Sequence, residues 1–402
     1  MASLRSLDKE YWSNELQKTL FVENTAVFLA DTEASRVLAA DGRKFHKPII
    51  SKPSTGTYVP YTDITLNPLN SSDQELEVDT FKYSVVEVDD TDIKQNFYDA
   101  AAFAAMSMQK QLNNLIEQAF LSQVTNAGHT LDAGAVGGVA GNPIDLTVVN
   151  AASLFTAGHT KLDMIDAPMA NRVAVIGAHM VGVLRNTKAG RESNLGDTVL
   201  DNGIIGPWQG WTVIQNNNLP YSASLELATN PTAGDTVVIA GVTFTARAVP
   251  ALPGEFDIGA DAAATRAILT NAINGAATGK NSATGYIEIS DEDRFLLTEK
   301  RRVTATDNIA GTQIDITGFG DIVVSETLTA AADIWSGQLQ KAVFMVRGAI
   351  DLAVQMPADV EIVRKERGFA EIVKALTGYG TKTFADGARL LIQVKIDASS
   401  WV

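Results

Sequence analysis

Four histidines, His46, His129, His159 and His179, are the side chains best suited to metal ligation or to acid–base work near neutral pH. None stands at the HxxxH or HExxH spacing that places two ligands on one helix face, so a zincin-type site has no support. His129 and His159 recur in two copies of AGHT, residues 127–130 and 157–160. A shared ligand pair is one reading, and a chance repeat in Ala- and Gly-rich sequence is the simpler one. Asp89, Asp90 and Asp92 could offer oxygen ligands to Ca2+ or Mg2+, but the EF-hand pattern is absent and capping of a following helix accounts for them. Asp291, Glu292 and Asp293 form a second acidic triplet, read as a solvated turn. GAVGGVAG (134–141) lacks the Lys and the preceding strand of a phosphate-binding loop and reads as a flexible loop. No nucleophile elbow of the GxSxG type occurs. Lys300, Arg301 and Arg302, and Arg364, Lys365 and Arg367, are short basic runs on expected strands, with Glu299 and Glu366 nearby. They read as inter-subunit or surface salt bridges rather than nucleic-acid contacts. Trp208 and Trp211 flank a Gly turn and read as packing anchors. No catalytic, cofactor-binding or metal residues are assigned, and the expected class is non-enzymatic.

Composition narrows the classes further. Cysteine is absent, which excludes disulfides, thiolate metal sites, iron–sulfur clusters and a cysteine nucleophile. At 402 residues and 46% apolar, the chain can bury a large core and is too apolar to be disordered. No apolar run approaches the roughly 20 residues of a membrane helix. The start, MASLRSLDKEYWSNEL, has no apolar h-region and is not expected to be a signal peptide. A net charge of −15 argues against a surface made to bind polyanions.

The elements that must position these residues change character along the chain. Residues 1–40 mix charges with short apolar runs, including Leu16, Leu20, Phe21 and Val27, and read as a partly helical arm. Residues 41–88 carry prolines at 48, 53, 60 and 68, poorly tolerated in helix interiors and central strands. They read as a long extended excursion that returns on itself and packs on something else. Within it TFKYSVVEV alternates, with Phe81, Tyr83, Val85 and Glu87 on one face and Lys82, Ser84, Val86 and Val88 on the other. Residues 91–124 hold Ile93, Phe97, Ala101, Ala104, Met108, Leu112, Leu115 and Ala119 at helical spacing, without interior Pro or Gly. That predicts one helix roughly 50 Å long. A lone helix of this length has no bundle partners and points to a flat, extended subunit. Residues 126–145 read as loop. From 147 to 227 helices and strands alternate: a helix starting near Asn150, a buried strand from Val173 to Ile176 followed by a helix, and a strand from Trp211 to Gln215. Residues 229–333 are an acidic island, with seven bases against fourteen acids for a net −7, which leaves −8 for the rest. A hairpin in DTVVIAGVTFTARAV, a helix in AAATRAILTNAINGA and short strands in GYIEIS, RFLLTEK and TQIDITG predict an independent small α+β domain. Long strands resume after it, with turns at Gly378, Gly380 and Gly387.

The order of these segments resembles that of tailed-phage major capsid proteins, which share the HK97-like fold. NGIIGPWQGWTVIQNNNLP (202–220) is similar to the axial-domain stretch of such coats, and GYGTKTFADGARLLIQVKID (378–397) to their C-terminal strands. The resemblance implies an α+β fold with an N-terminal arm at 1–40 and an extended E-loop at 41–88. It implies a peripheral (P) domain at 89–146 and 336–384, with a spine helix at 91–124. An axial (A) domain would take 147–228 and 385–402, and an α+β insertion domain 229–333, facing outward. The implied function is a major capsid protein that self-assembles, as hexamers and pentamers, into the icosahedral head of a tailed double-stranded DNA phage. It would assemble in the host cytoplasm and reside in the virion capsid, enclosing DNA without sequence-specific binding and without a membrane. Scaffolding, portal and decoration proteins are the implied partners. An arm of about 40 residues beginning at Met1 implies no maturation cleavage and a separate scaffolding protein. The alternatives are an encapsulin-like nanocompartment shell protein and a phage surface or tail-associated binding protein. Many modest contacts suffice to close a shell, because multivalency multiplies them.

Overall fold

The computed structural model describes residues 25–38, 42–50, 53, 55–63, 68, 70–95, 100–189 and 207–399. A short helix α1 (Glu33–Leu38) precedes an antiparallel hairpin, β1 (Lys44–Ile50) and β2 (Ser71–Glu77). Strand β3 (Thr80–Asp89) follows, then helices α2 (Asp90–Gln95) and α3 (Ala100–Ser122). Next come β4 (His129–Leu131), α4 (Ala151–Asp163), β5 (Arg172–Ile176), α5 (Ala178–Ala189), β6 (Thr212–Gln215) and β7 (Pro220–Glu226). The acidic island supplies β8 (Thr236–Ile239), β9 (Val242–Arg247), β10 (Glu255–Asp257), α6 (Ala262–Asn274) and α7 (Asp291–Phe295). It continues with β11 (Thr304–Asn308), β12 (Gln313–Phe319) and β13 (Val324–Glu326). The chain then runs through β14 (Trp335–Val346), β15 (Asp351–Arg364), β16 (Ala370–Lys382), α8 (Ala385–Arg389) and β17 (Leu391–Asp397).

Two sheets organise the mixed α+β body. The larger runs β11-β12-β7-β14-β17-β4, with β5 and β6 joined through β14. Strand β14 is its hub, pairing with β17 on one side and with β7 and then β5 on the other. Every residue of β5 is buried, as expected of an apolar strand with neighbours on both edges. The second sheet is antiparallel, in the order β15-β16-β3. Helix α3 lies across it, burying Ala101, Met108 and Leu112 against Ala358, Val373 and Ala375. These three helix residues are on the stripe the 3.6-residue spacing predicts, while Phe97 of that stripe lies outside the described residues. At about 1.5 Å per residue the 23 residues of α3 span roughly 35 Å.

The tryptophan pair anchors the body as read from sequence. Trp208 and Trp211 exchange both backbone hydrogen bonds around a two-residue turn. Gln209 and Gly210 both have positive φ, 47° and 87°, which is why a Gly is needed there. Both indoles are buried, and Trp211, Phe155 and Phe344 stack with ring centroids 4.9 Å apart along the chain of contacts.

Several expectations change. RFLLTEK is helical, not a strand: Ser290 caps α7 by accepting from the Asp293 N–H, and the chain continues into a π-turn at Leu296–Lys300. The acidic triplet Asp291–Asp293 is therefore a helix first turn, where the dipole favours negative charge. GYIEIS contributes only isolated bridges at Tyr286. Residues 229–333 are also tied into the body more closely than their composition suggests. Strand β12 pairs along its whole length with β7, so β11 and β12 extend the main sheet, and the apolar core runs through without a break. Only the four-stranded sheet β10-β9-β8-β13 is confined to the island. Finally, β14, grouped by sequence with residues 336–384, belongs to the larger sheet because its apolar alternation is completed by β17, β5 and β7.

Candidate functional site

The β1–β2 hairpin pairs with no other strand among the described residues. Lys44 faces Glu77 and Ile50 faces Ser71 across it. Beyond the strands, Tyr58, Val59 and Tyr61 are exposed. An isolated two-stranded ribbon is marginal in water, so its root has to hold it. There Leu76 and Val78 bury against Ala34, Leu38, Ala353 and Phe384, with Phe45 packed alongside. The larger of these side chains contribute roughly 1.5–3 kcal/mol each. The exposed ion pairs along the ribbon, Arg43–Glu77 at 2.7 Å and Lys44–Glu75 at 3.0 Å, add about 0–1 kcal/mol each.

A polar cluster closes the root. The ammonium of Lys47 lies 3.2 Å from Asp386 and 3.8 Å from Asp351 and sits 5.2 Å from the centre of the Phe384 ring. Lys382 lies opposite Asp351 in the β15–β16 register, approaches the same ring at 5.7 Å, and donates to the Glu75 carbonyl at 2.6 Å. The Asp351 side chain is 3% exposed. Burial pushes its carboxyl up to about 7; Lys47 opposes this, and Asp31, Asp386 and Glu33 add to it. Asp386 is held below its ordinary value, because the Gly387 N–H and Lys47 outweigh its burial. The root packs tightly enough that a Cβ at Gly380 would stand 2.2 Å from the Glu77 carbonyl.

The second surface is the face of the three-stranded sheet opposite α3. The register places Phe81, Tyr83 and Val85 of β3 on that face with Leu376 of β16 and Met356 and Val363 of β15. All six are exposed, Tyr83 at 77%. The Lys374–Glu361 pair at 3.0 Å and the Lys365–Glu87 pair at 2.6 Å rim this stripe. A contiguous apolar patch with a polar rim is the mark of an interaction surface. The alternation of TFKYSVVEV thus resolves into a solvent face, Phe81/Tyr83/Val85/Glu87, and a helix-side face carrying Val88.

The residues singled out for chemistry take structural places. His46 pairs with Asp73 on the hairpin surface at 2.5 Å. His159 bonds the Gln209 carbonyl at 2.7 Å through Nε2 and meets Arg172 at 2.6 Å through Nδ1. His129 enters β4, and His179 on α5 is pushed below the ordinary histidine value by burial. No group of three or more His, Asp or Glu suited to a metal occurs among the described residues. Asp89 accepts from the Thr91 N–H at 2.8 Å, and Asp90 pairs with Arg364. In the Gly-rich loop, Asp132 accepts from the Gly134 and Gly141 N–H groups. The Lys300–Arg302 run begins on the last residue of the π-turn rather than lying on a strand.

No protein-family model and no curated protein matches the sequence. Solved structures do. A structure from Mycobacterium phage Che8 superposes with a TM-score of 0.59 at 14% identity, over 97% of this chain and 98% of that one. The capsid of cyanophage P-SCSP1u gives 0.54 at 15% identity, over 98% and 94%. The mature capsid of bacteriophage PhiM1 gives 0.52 at 11% identity, over 97% and 92%. The chain has a phage-capsid fold.

Within this phage-capsid fold, sequence reasoning missed the contact that fixes the N-terminal segment. Glu117 of α3 is fully buried and accepts from the Thr25 and Ala26 N–H groups at 2.7 Å each, and from the Asn218 amide at 2.7 Å. Asn218 also donates to Asn114 at 2.6 Å. The one available signal was two clusters of amides, Asn113–Asn114 and Asn216–Asn218, the first of them followed three residues later by the acid Glu117. Asp351 was missed as well, although an acid opening a long apolar strand after Gly348 is visible in the sequence.

Proposed function

We propose that the chain is the major capsid protein of a tailed double-stranded DNA phage, a structural and non-enzymatic subunit that assembles with copies of itself into an icosahedral head. The observation that carries this reading is the end-to-end match to phage-capsid structures, which covers 97–98% of this chain and 92–98% of theirs. In that assignment residues 1–40 are the N-arm and 41–88 the E-loop, whose projecting part is the β1–β2 hairpin. The spine helix of 91–124 corresponds to α2 and α3, the P domain to the sheet β15-β16-β3, and the A domain to the sheet around β14. Residues 229–333 are the insertion, with β8, β9, β10, β13 and α6 as its outward part. A hairpin that cannot stand alone and a bare apolar sheet face are complementary, and two subunits side by side can satisfy both. A surface of net −15 keeps the wall from adhering to enclosed DNA. Scaffolding, portal and decoration proteins would be its partners, with assembly in the host cytoplasm. Electron microscopy of the purified chain, alone and with its neighbouring gene products, tests the reading. Closed icosahedral shells are expected. A permanent monomer would overturn it, and shells filled with protein instead of DNA would favour a nanocompartment.

A further inference from the structure

A cleft of about 350 Å3 opens between β7, β12, β14 and the π-turn region, and its lining includes Arg302, Lys341, Tyr221 and the hydroxyl residues Thr298, Thr304 and Thr317. Its charge arrangement is unfavourable as it stands. Lys341 of β14 lies directly opposite Lys395 of β17, and like charges at facing positions repel. Burial, and then Lys395, hold the Lys341 ammonium below its ordinary value. Arg302 adopts a left-handed backbone, φ 46°, and its guanidinium lies over the Phe319 ring at 5.7 Å. Among the described residues no carboxylate lies within 4 Å of Lys341, Lys395 or Arg302. Lys300 and Arg301, two residues and one residue upstream, are likewise held down by burial. The acids that face this region are otherwise engaged: Asp397 accepts from the Ser399 N–H, Asp79 from the Thr80 hydroxyl, and Glu299 from Gln111. The strand registers set Lys341, Thr304, Thr317 and Phe319 on one face of the sheet, the face over which the Arg302 guanidinium lies, and the Thr304 and Thr317 hydroxyls bond to each other there at 2.8 Å.

We propose that this cleft binds a phosphoryl group, with Arg302 and Lys341 as its direct charge partners, Lys395 as a supporting cation and the Thr304–Thr317 hydroxyl pair as a donor. A phosphoryl group brings up to two negative charges and several acceptor oxygens, matching a guanidinium fork, an ammonium and hydroxyl donors better than a single carboxylate does. The volume admits one such group, not a length of strand. Free inorganic phosphate and a phosphodiester of a nucleic-acid backbone carry the same chemistry. The site stands apart from the assembly reading, since it uses neither the hairpin nor the bare sheet face.

The test titrates inorganic phosphate into the purified full chain near neutral pH, with chloride holding the ionic strength constant. Saturable binding by calorimetry and a raised thermal midpoint are expected. Lys341→Gln and Arg302→Gln should each weaken binding at least tenfold. Lys341→Gln also removes a repulsion, so without phosphate its midpoint should equal or exceed the parent's while its phosphate response is lost. A merely structural lysine would not give that pairing. Lys374→Gln, on the other sheet, should respond as the parent does. A short DNA duplex added as competitor assigns the source. Displacement with the same variant sensitivity identifies a backbone phosphodiester, and binding without displacement identifies free phosphate. The proposal fails if phosphate and matched chloride give the same midpoint, or if Lys341→Gln and Arg302→Gln bind phosphate as the parent does.

Discussion

Replacing Asp351 with Asn should stabilise the chain most near and above neutral pH and leave it unchanged only in acid below about pH 4. The Asp351 side chain is 3% exposed, and its nearest cation, Lys47 at 3.8 Å, lies closer to Asp386, at 3.2 Å. Burial therefore dominates and lifts the carboxyl from 3.8 to about 7. A folded-state value above the unfolded one means that the folded chain holds the proton more tightly. The resulting stability is complete below about pH 3.8 and is lost as pH rises through about 7. About three units at about 1.36 kcal/mol each give about 4 kcal/mol as the full span. Asn keeps the uncharged shape at every pH but gives up the attraction to Lys47. The expected gain over the parent is therefore about 2–4 kcal/mol near pH 8, about 1–2 kcal/mol near pH 5 and about zero below about pH 3.8. Urea unfolding followed by tryptophan fluorescence measures it, with buried Trp208 and Trp211 as reporters. The quantity to plot is variant minus parent at each pH. His179, whose value burial lowers, contributes stability that is present above about pH 6.5 and lost as pH falls, and it cancels in that difference. Asp386, held below its ordinary 3.8, acts only in stronger acid. A difference that stays flat from about pH 5 to about pH 8, or a variant less stable than the parent near pH 8, would show that the Lys47 pair outweighs burial and refute the reasoning.

Three further outcomes are expected. Glu117→Ala strips the acceptor from the Thr25 and Ala26 N–H groups and from Asn218; urea unfolding should show a loss of about 2–4 kcal/mol, and a cost under about 1 kcal/mol would dismiss the clamp. Gly380→Ala drives a Cβ toward the Glu77 carbonyl, so the hairpin root must shift at a cost of about 1–3 kcal/mol. Limited proteolysis should then cut the hairpin before the body, and an unchanged digestion pattern would count against the close approach. Tyr83→Glu with Leu376→Glu should leave monomer stability within about 0.5 kcal/mol while abolishing self-association by sedimentation; intact association would remove the bare sheet face from the assembly surface.

Local patterns were readable where one physical signal acted alone. The spacing of Ala101, Met108 and Leu112 located α3 and its buried stripe, and the alternation in TFKYSVVEV located β3. Which β3 face would be covered was not readable, because α3 packs on the side carrying Val88 and leaves Phe81, Tyr83 and Val85 bare, a choice made by tertiary packing. RFLLTEK misled because a short apolar run has no period of its own; the cap at Ser290 and the acids after it carried the helix signal. The division at 229–333 followed composition, whereas β12 follows its register with β7, across some ninety residues of chain. The candidate site depended on such distant meetings throughout. Lys341 and Lys395 look unremarkable in sequence, and only the β14–β17 register sets them face to face. Asp351 becomes unusual only because Lys47 and Asp386 close over it.

The pairing of β4 with β17 sets a timetable for synthesis. His129 is bridged to Ile392, and β3 waits in the same way for β16. A ribosome adding about 5–20 residues per second needs roughly 15–50 s to make the chain between β4 and β17. During that interval β3 and β4 lack their strand partners, and such non-local sheets also fold slowly once complete. The body therefore closes as a late event, when its final strand slides in beside β14. In the shell proposed above, the hairpin root and the bare sheet face wait likewise for β15, β16 and Phe384, so a chain interrupted before them carries neither surface into the lattice.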